Sequence, residues 1–244
     1  MHRVVVRQGV PERGPVIIED PQELHHLAVV LRAGPGDRVE CLDGLGGRAR
    51  GTIRECGPGR AVIDVESRSR EPAAGTAVVL AAALIKPSRF EWLIQKATEL
   101  GVARIVPLVT ARTQARPGRG LGRERMARWE RIVREAAKQS GRARVPELES
   151  PRTFEELLPD LAGAEGLIAT LAGDRPAGGW EATPPDALGK TVIIIGPEGD
   201  FTDEEVRLAL RHGARTMSLG PVTLRAETAA LAAIVLVQHR LGRL

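Results

Sequence analysis

Along the first seventy positions the hydrophobic residues come in short bursts. Residues 3–7, 16–19, 37–42, 51–55 and 61–65 each read as a strand, bounded by Gly, Pro or Asp. One segment breaks the rhythm: in "PQELHHLAVVLR" (21–32), Leu24, Leu27, Ala28 and Leu31 fall on one face of a helix. Short strands, glycine-rich turns and a single helix predict a small β-barrel over 1–70. The pattern changes after "EPAAGT" (71–76), which reads as a linker. Over 77–244, apolar runs of strand length alternate with helical segments. In order these are "AVVLAAAL", a helix over 88–100, "RIVPLV", a long basic helix over 123–140, "GLIATL", "TVIIIG", a helix over 203–212, "TMSLG" and a last helix from 226 to about 241. Such alternation predicts an α/β domain with a largely parallel sheet.

Composition narrows the classes. A chain of 244 residues with 43% hydrophobic content can bury a sizeable core in two modest domains. The start of the chain does not join a charged stretch to an apolar one, so no signal peptide is expected. The longest apolar run, residues 229–237, is far short of the roughly 20 residues a membrane span requires. Cys41 and Cys56 lack metal-like spacing and read as packing residues in a reduced, cytoplasmic setting; no metal site is expected.

Charge changes the picture more. The net charge is only +4, but residues 104–144 carry 12 Lys and Arg against 3 Asp and Glu, a surplus of nine. That concentration points to a polyanionic partner. The competing explanation is a solvated helix face in an arginine-rich chain with only four lysines. Three Trp, three Phe and no Tyr argue against a base-stacking sheet of the RRM type.

Open parallel sheets hold their ligands beyond the carboxyl ends of the strands. Three strand ends here carry glycine: "IATLAGD" (168–174), "IIIGPEGD" (193–200) and "MSLGPVTLRAETA" (217–229). In the second, Ile193 to Ile195 read as a buried strand, and Thr202 with Glu205 as a capping box opening a helix. That leaves Glu198 without a structural purpose. No G-x-G-x-x-G follows the first strand, and neither a P-loop nor a G-x-S-x-G motif occurs.

"IIIGPEGDFTDEE" and "SLGPVTLRAETAALAA" resemble the paired signature of the bacterial small-subunit (16S) ribosomal RNA uridine-N3 methyltransferases of the SPOUT superfamily. "KPSRFEWLIQKATELGVARIVPL", "RWERIVREAAKQSGRARVPEL" and, in the first domain, "HHLAVVLRAGPGDRVECLDG" are similar to further segments of that family. The resemblance runs in the correct order over nearly the whole chain. It implies an S-adenosyl-L-methionine-dependent enzyme with a PUA-like RNA-binding domain, a C-terminal deep trefoil knot and a homodimeric active site. Small-subunit ribosomal RNA, within an assembled or assembling subunit, is the implied partner. For the cofactor it implicates Thr170, Leu171, Gly196, Glu198, Gly199, Leu219, Gly220 and Leu224. The candidate RNA contacts are Arg32 and, in and after the basic helix, Arg128, Arg131, Arg134, Gln139 and Arg142, with a plain solvated surface as the alternative for the last two. Two departures stand out: Asp200 replaces a usual third glycine, and Val222 replaces the first arginine of "RILRTETA".

Uridine N3 is a poor nucleophile until its proton leaves, so catalysis requires proton removal, stabilised carbonyl charge and in-line methyl placement. Arg225 suits the second task because its planar guanidinium can grip a carbonyl-rich edge; the alternative is an ion pair with Glu227. Glu227 either accepts the proton or sits where any helix N-terminus favours a carboxylate. Lys96 and Glu99 read as a surface pair, and His25 and His26 as packing or capping residues. Two other functional classes compete: an RNA-binding assembly factor of this fold without activity, and a small-molecule α/β enzyme. The last helix carries Ala226, Ala229, Ala230, Ala232 and Ala233 beside Leu231, Ile234, Val235 and Val237, which predicts burial nearly all round and contact with a second copy. Ala233→Arg is the natural probe of that contact.

Overall fold

The computed structural model describes residues 1–6, 8–72, 76–114, 122–170 and 189–244. The chain divides into two compact units: Met1–Ala73 with Arg134–Val145, and Ala74–Val133 with Pro146–Leu244.

The first unit is a curled five-stranded sheet in the order β1-β3-β4-β5-β2, built from β1 (His2–Val5), β2 (Val16–Ile18), β3 (Arg38–Leu42), β4 (Gly47–Cys56) and β5 (Ala61–Arg70). Its ladders are antiparallel except β1 with β3, and its core includes Val4, Val16, Leu27, Val39, Ile53 and Ile63. β4 and β5 are about twice as long as the apolar pattern indicates; over the added length Arg48 and Arg50 of β4 reach Glu40 of β3, and Glu66 of β5 pairs with Arg38 of β3.

The expected helix over 21–32 is only partly α-helical. α1 (Pro21–His25) is capped by the Asp20 carboxylate, which accepts from the amides of Gln22 and Glu23. A π-helical turn then runs from His26 to Val30. The wider turn keeps Leu24 and Leu27 buried but turns Ala28, Val29 and Val30 outward, and Arg32 follows at φ +49°. Ala28 therefore leaves the apolar face on which its spacing had placed it.

Residues 134–145 belong to this unit through hydrogen bonds that the pattern did not signal. Arg3 and Arg48 donate to the carbonyls of Gln139 and Gly141 at the end of a helix, and both also grip the buried Glu40. Lys138, almost fully buried, pairs with Glu23 at 2.9 Å.

The second unit contains an all-parallel sheet in the order β12-β10-β11-β6-β7-β8, with β9 also beside β7. Its strands are β6 (Ala77–Ala83), β7 (Arg104–Val109), β8 (Glu147–Leu148), β9 (Arg152–Thr153), β10 (Glu165–Ala169), β11 (Lys190–Ile195) and β12 (Arg215–Met217). The central strands are buried continuously because both faces are covered. On one face Val79, Ala81, Val106, Ile168, Val192 and Ile194 pack with α4 (Phe154–Leu157), the 3₁₀ turn that follows it, and α5 (Asp203–Arg211). On the other, α2 (Pro87–Glu99) and α6 (Ala226–Arg240) pack together, and α6 lies on β6 and β11. The long helix α3 (Arg123–Ser140) packs Trp129 against Phe90 of α2, with ring centroids 4.7 Å apart. No helix among the described residues is long and apolar enough to cross a membrane.

Candidate active site

The chain runs from β10 to β11 on one side and returns to β12 on the other, so connections diverge at β10. Such a switch point leaves a crevice at the carboxyl ends of the strands. A cavity of about 240 Å³ occupies it, walled by Ala169 and Thr170 at the end of β10, Ile195 to Glu198 and Asp200 at the end of β11, Leu219 and Gly220, and Val222 to Ala226 with Ala229 leading into α6. The Thr170 amide faces the Met217 carbonyl at 3.4 Å, tying two of these exits together.

The turn after β11 has a specific construction. The Asp200 amide donates to the Pro197 carbonyl at 2.9 Å, closing a four-residue turn. Asp200 itself holds φ +60°, and its Oδ1 accepts from the Phe201 amide at 2.8 Å, a local bond that helps aspartate tolerate this backbone. Gly196 is closely packed: a Cβ there would lie 3.1 Å from the ring of Phe201, which is buried against Phe154, so the ring would have to give by a few tenths of an ångström. Gly220, at φ +112°, takes a backbone that side chains disfavour.

Two residues hold this turn from behind: Arg112, which the sequence reading did not single out, and Glu205, which it read only as a helix cap. Arg112, in the loop after β7, donates to the carbonyls of Gly199 at 2.8 Å and Phe201 at 3.2 Å. Glu205 caps α5 through Oε2, which accepts from the Thr202 amide, while its Oε1 accepts from the Ala111 amide at 2.8 Å. The predicted capping box is present, and the same buried carboxylate also ties the turn to the β7 loop.

The wall is mainly apolar, with Glu198, Asp200 and Arg225 as its ionisable groups. Arg225 is exposed at the N-cap of α6, makes no side-chain capping bond, and has no ion-pair partner among the described residues. Its guanidinium is available to a ligand. Glycine-permitted backbone, aliphatic side chains and two carboxylates suit a ligand with a flat apolar part, hydroxyl donors and cationic groups, which describes S-adenosylmethionine.

Comparison with known proteins agrees with this geometry. A family model described as RNA methyltransferase domain matches residues 72–238, and one described as RNA methyltransferase PUA domain matches 18–66. The chain belongs to this RNA methyltransferase family. It is 37% identical to ribosomal RNA small subunit methyltransferase E of Synechocystis over 87% of this chain and 69% of that protein. It is 29% identical to the Bacillus subtilis protein of the same name over 94% and 92%. The solved structure of ribosomal RNA small subunit methyltransferase E from Neisseria gonorrhoeae, bound to S-adenosyl methionine, superposes with a TM-score of 0.85 at 27% identity, covering 98% and 97% of the two chains.

Within this family fold, Thr170, Gly196, Glu198, Leu219, Gly220 and Leu224 line the cavity. Gly199 stands behind it against Arg112, and Leu171 lies outside the described residues. Arg225 lines the cavity but Glu227 does not: the Glu227 carboxylate is buried and faces Arg89 of α2 at 3.8 Å. Of the basic set, Arg128 is engaged by Glu91 at 2.7 Å, while the exposed Arg131 has no ion-pair partner among the described residues. Arg134 and the Gln139 side chain are exposed. Arg142 is half-buried, and that burial lowers its guanidinium pKa despite the opposing charge of Glu71. Lys96 and Glu99 form the expected pair at 2.8 Å.

Proposed function

We propose that this chain methylates N3 of a uridine in small-subunit (16S) ribosomal RNA, using S-adenosylmethionine, as a cytoplasmic homodimer. The observation that carries this reading is the exposed Arg225 guanidinium, without an ion-pair partner among the described residues, on the wall of a glycine-permitted cavity at the switch point of the sheet. Bound S-adenosylmethionine supplies an electrophilic methyl group. The chain supplies the rest. Loop amides and carbonyls around Gly196, Leu219 and Gly220 hold the ligand where aliphatic side chains exclude water. Arg225 donates to a uracil carbonyl oxygen and stabilises the charge left on the ring once the N3 proton has passed to solvent water.

In this reading residues 1–70 form a PUA-like RNA-binding domain, 71–76 a linker, and 77–244 the catalytic domain. The strand order β12-β10-β11 supports a deep trefoil knot there. Arg32, Arg128, Arg131, Arg134, Gln139 and Arg142 contact RNA, and the assembled or assembling small subunit is the substrate.

The test is mass spectrometry of small-subunit RNA, free and assembled, after incubation with protein and S-adenosylmethionine. A 3-methyluridine at one position is expected, and its loss in Arg225→Ala. Cofactor binding without any RNA methylation would instead favour an assembly factor that lacks activity.

A further inference from the structure

Arg89 stands between two carboxylates from distant parts of the chain. Its Nη1 lies 3.7 Å from Glu198 Oε1 and its Nε lies 3.8 Å from Glu227 Oε1. The two acids differ in setting: the Glu198 side chain is 36% exposed on the cavity wall, whereas that of Glu227 is 12% exposed and lines no part of the cavity. Glu227 Oε2 is buried and takes no hydrogen bond among the described residues. A buried carboxylate oxygen without a donor is costly to keep, which calls for a reason beyond packing.

The position of Arg89 also disfavours a purely structural role. It lies in the first turn of α2, which contains no acidic residue, and a cation at a helix N-terminus opposes the helix dipole. Neither ion pair is as short as a hydrogen bond, so the guanidinium is shared rather than committed. A planar fork with several donors can span two carboxylates in this way.

We propose that Arg89 is a positioning residue: anchored on buried Glu227, it holds the Glu198 carboxylate in place on the cofactor-facing wall. This rests on reading the cavity as the S-adenosylmethionine site. It places Glu227 behind the wall, acting through Arg89 on a ligand it does not touch.

The experiment is calorimetric titration of S-adenosylmethionine into wild type, Arg89→Met, Arg89→Lys, Glu227→Gln and the Arg89→Met/Glu227→Gln double variant, with thermal melting as a fold control. Arg89→Met is expected to raise Kd about tenfold, and Arg89→Lys, which keeps one ion pair, no more than about threefold. Glu227→Gln should raise Kd severalfold, and that loss should vanish in the Arg89→Met background, because Glu227 acts through Arg89. A merely structural role would lower the melting temperature and leave Kd unmoved, or make the two losses add in full. Either result overturns the proposal. Should Arg89→Met not fold, Arg89→Gln takes its place in the same cycle. Wild type that fails to bind millimolar cofactor would sink the reading of the cavity and this inference with it. Wild type that binds while every variant stays within twofold sinks the role of Arg89 alone.

Discussion

Asp200 holds φ +60°, a backbone that glycine adopts at lower cost, and its Oδ1 offsets part of that cost by accepting from the Phe201 amide. Asp200→Gly therefore exchanges one local hydrogen bond for relief of strain, and stability should change by less than about 1 kcal/mol. Because Asp200 Oδ1 is already engaged by the Phe201 amide, its loss from the cavity wall costs the ligand little while the turn is freed, so calorimetry should find S-adenosylmethionine bound at least as tightly as by wild type. Glu40 carries a second residue-level prediction. Burial alone would raise its pKa, but hydrogen bonds from Arg48, Arg50 and Arg3 outweigh burial and hold it below the ordinary carboxylate range. The folded state thus binds this proton less readily than the unfolded chain. Its stabilisation is present above the unfolded value near 4.5 and is lost as pH falls through the lower folded value. Asp160 shifts the same way: hydrogen bonds and charge from Arg152 and Arg104 outweigh the effect of burial. Glu40→Gln should lower stability at neutral pH by about 3 kcal/mol and flatten the acid limb of a melting-temperature profile.

At the scale of elements, α3 separates charge that folds the chain from charge left for a partner. Lys138 is spent on Glu23, Arg128 on Glu91, and burial withdraws Arg142 in part. Arg131 remains exposed without an ion-pair partner among the described residues. If α3 meets phosphates, Arg131→Ala should weaken RNA binding and reduce the slope of log K against log salt by about 0.7–0.9. Arg128→Ala should do less, because Glu91 already neutralises Arg128. Cofactor affinity should stay the same in both. A salt slope unchanged by Arg131→Ala would return this helix to a solvated face. The ends of α5 were readable because a capping box is local, with Thr202 and Glu205 three residues apart. The end of α1 was not: the π-helical turn that exposes Val29 and Val30 answers to the curl of the sheet around Leu27 and Ala33, which no local spacing encodes.

At the scale of the molecule, α6 is covered by its own chain on one side only. Ala230, Ala233, Ile234 and Val237 are buried within the chain, whereas Val235 and Leu236 are about 40% exposed. Ala233→Arg would therefore place a charge in the core and report on folding, not assembly. The proposed homodimer is better tested at Leu236: if it forms through this face, Leu236→Glu should keep its melting temperature within a few degrees yet elute and scatter as a monomer, with methyl transfer lost. An active wild-type monomer at assay concentration would refute the shared site.

Periods of two and of about 3.6 residues are local properties, so they gave most of the strands, the helices and the change of architecture after residue 70. Glycine at strand ends likewise marked where a ligand approaches, because parallel strands all present their carboxyl ends to the same side. Tertiary structure alone decided which charges are free. Arg225 and Arg131 have no ion-pair partner among the described residues, whereas Arg89, Arg112 and Glu227 meet groups brought to them from far along the chain. It also decided that residues 134–145 belong to the first unit and that Glu227 faces away from the cavity. A side chain's type states what it can pair with. Only the packed fold determines what stands within 4 Å of it.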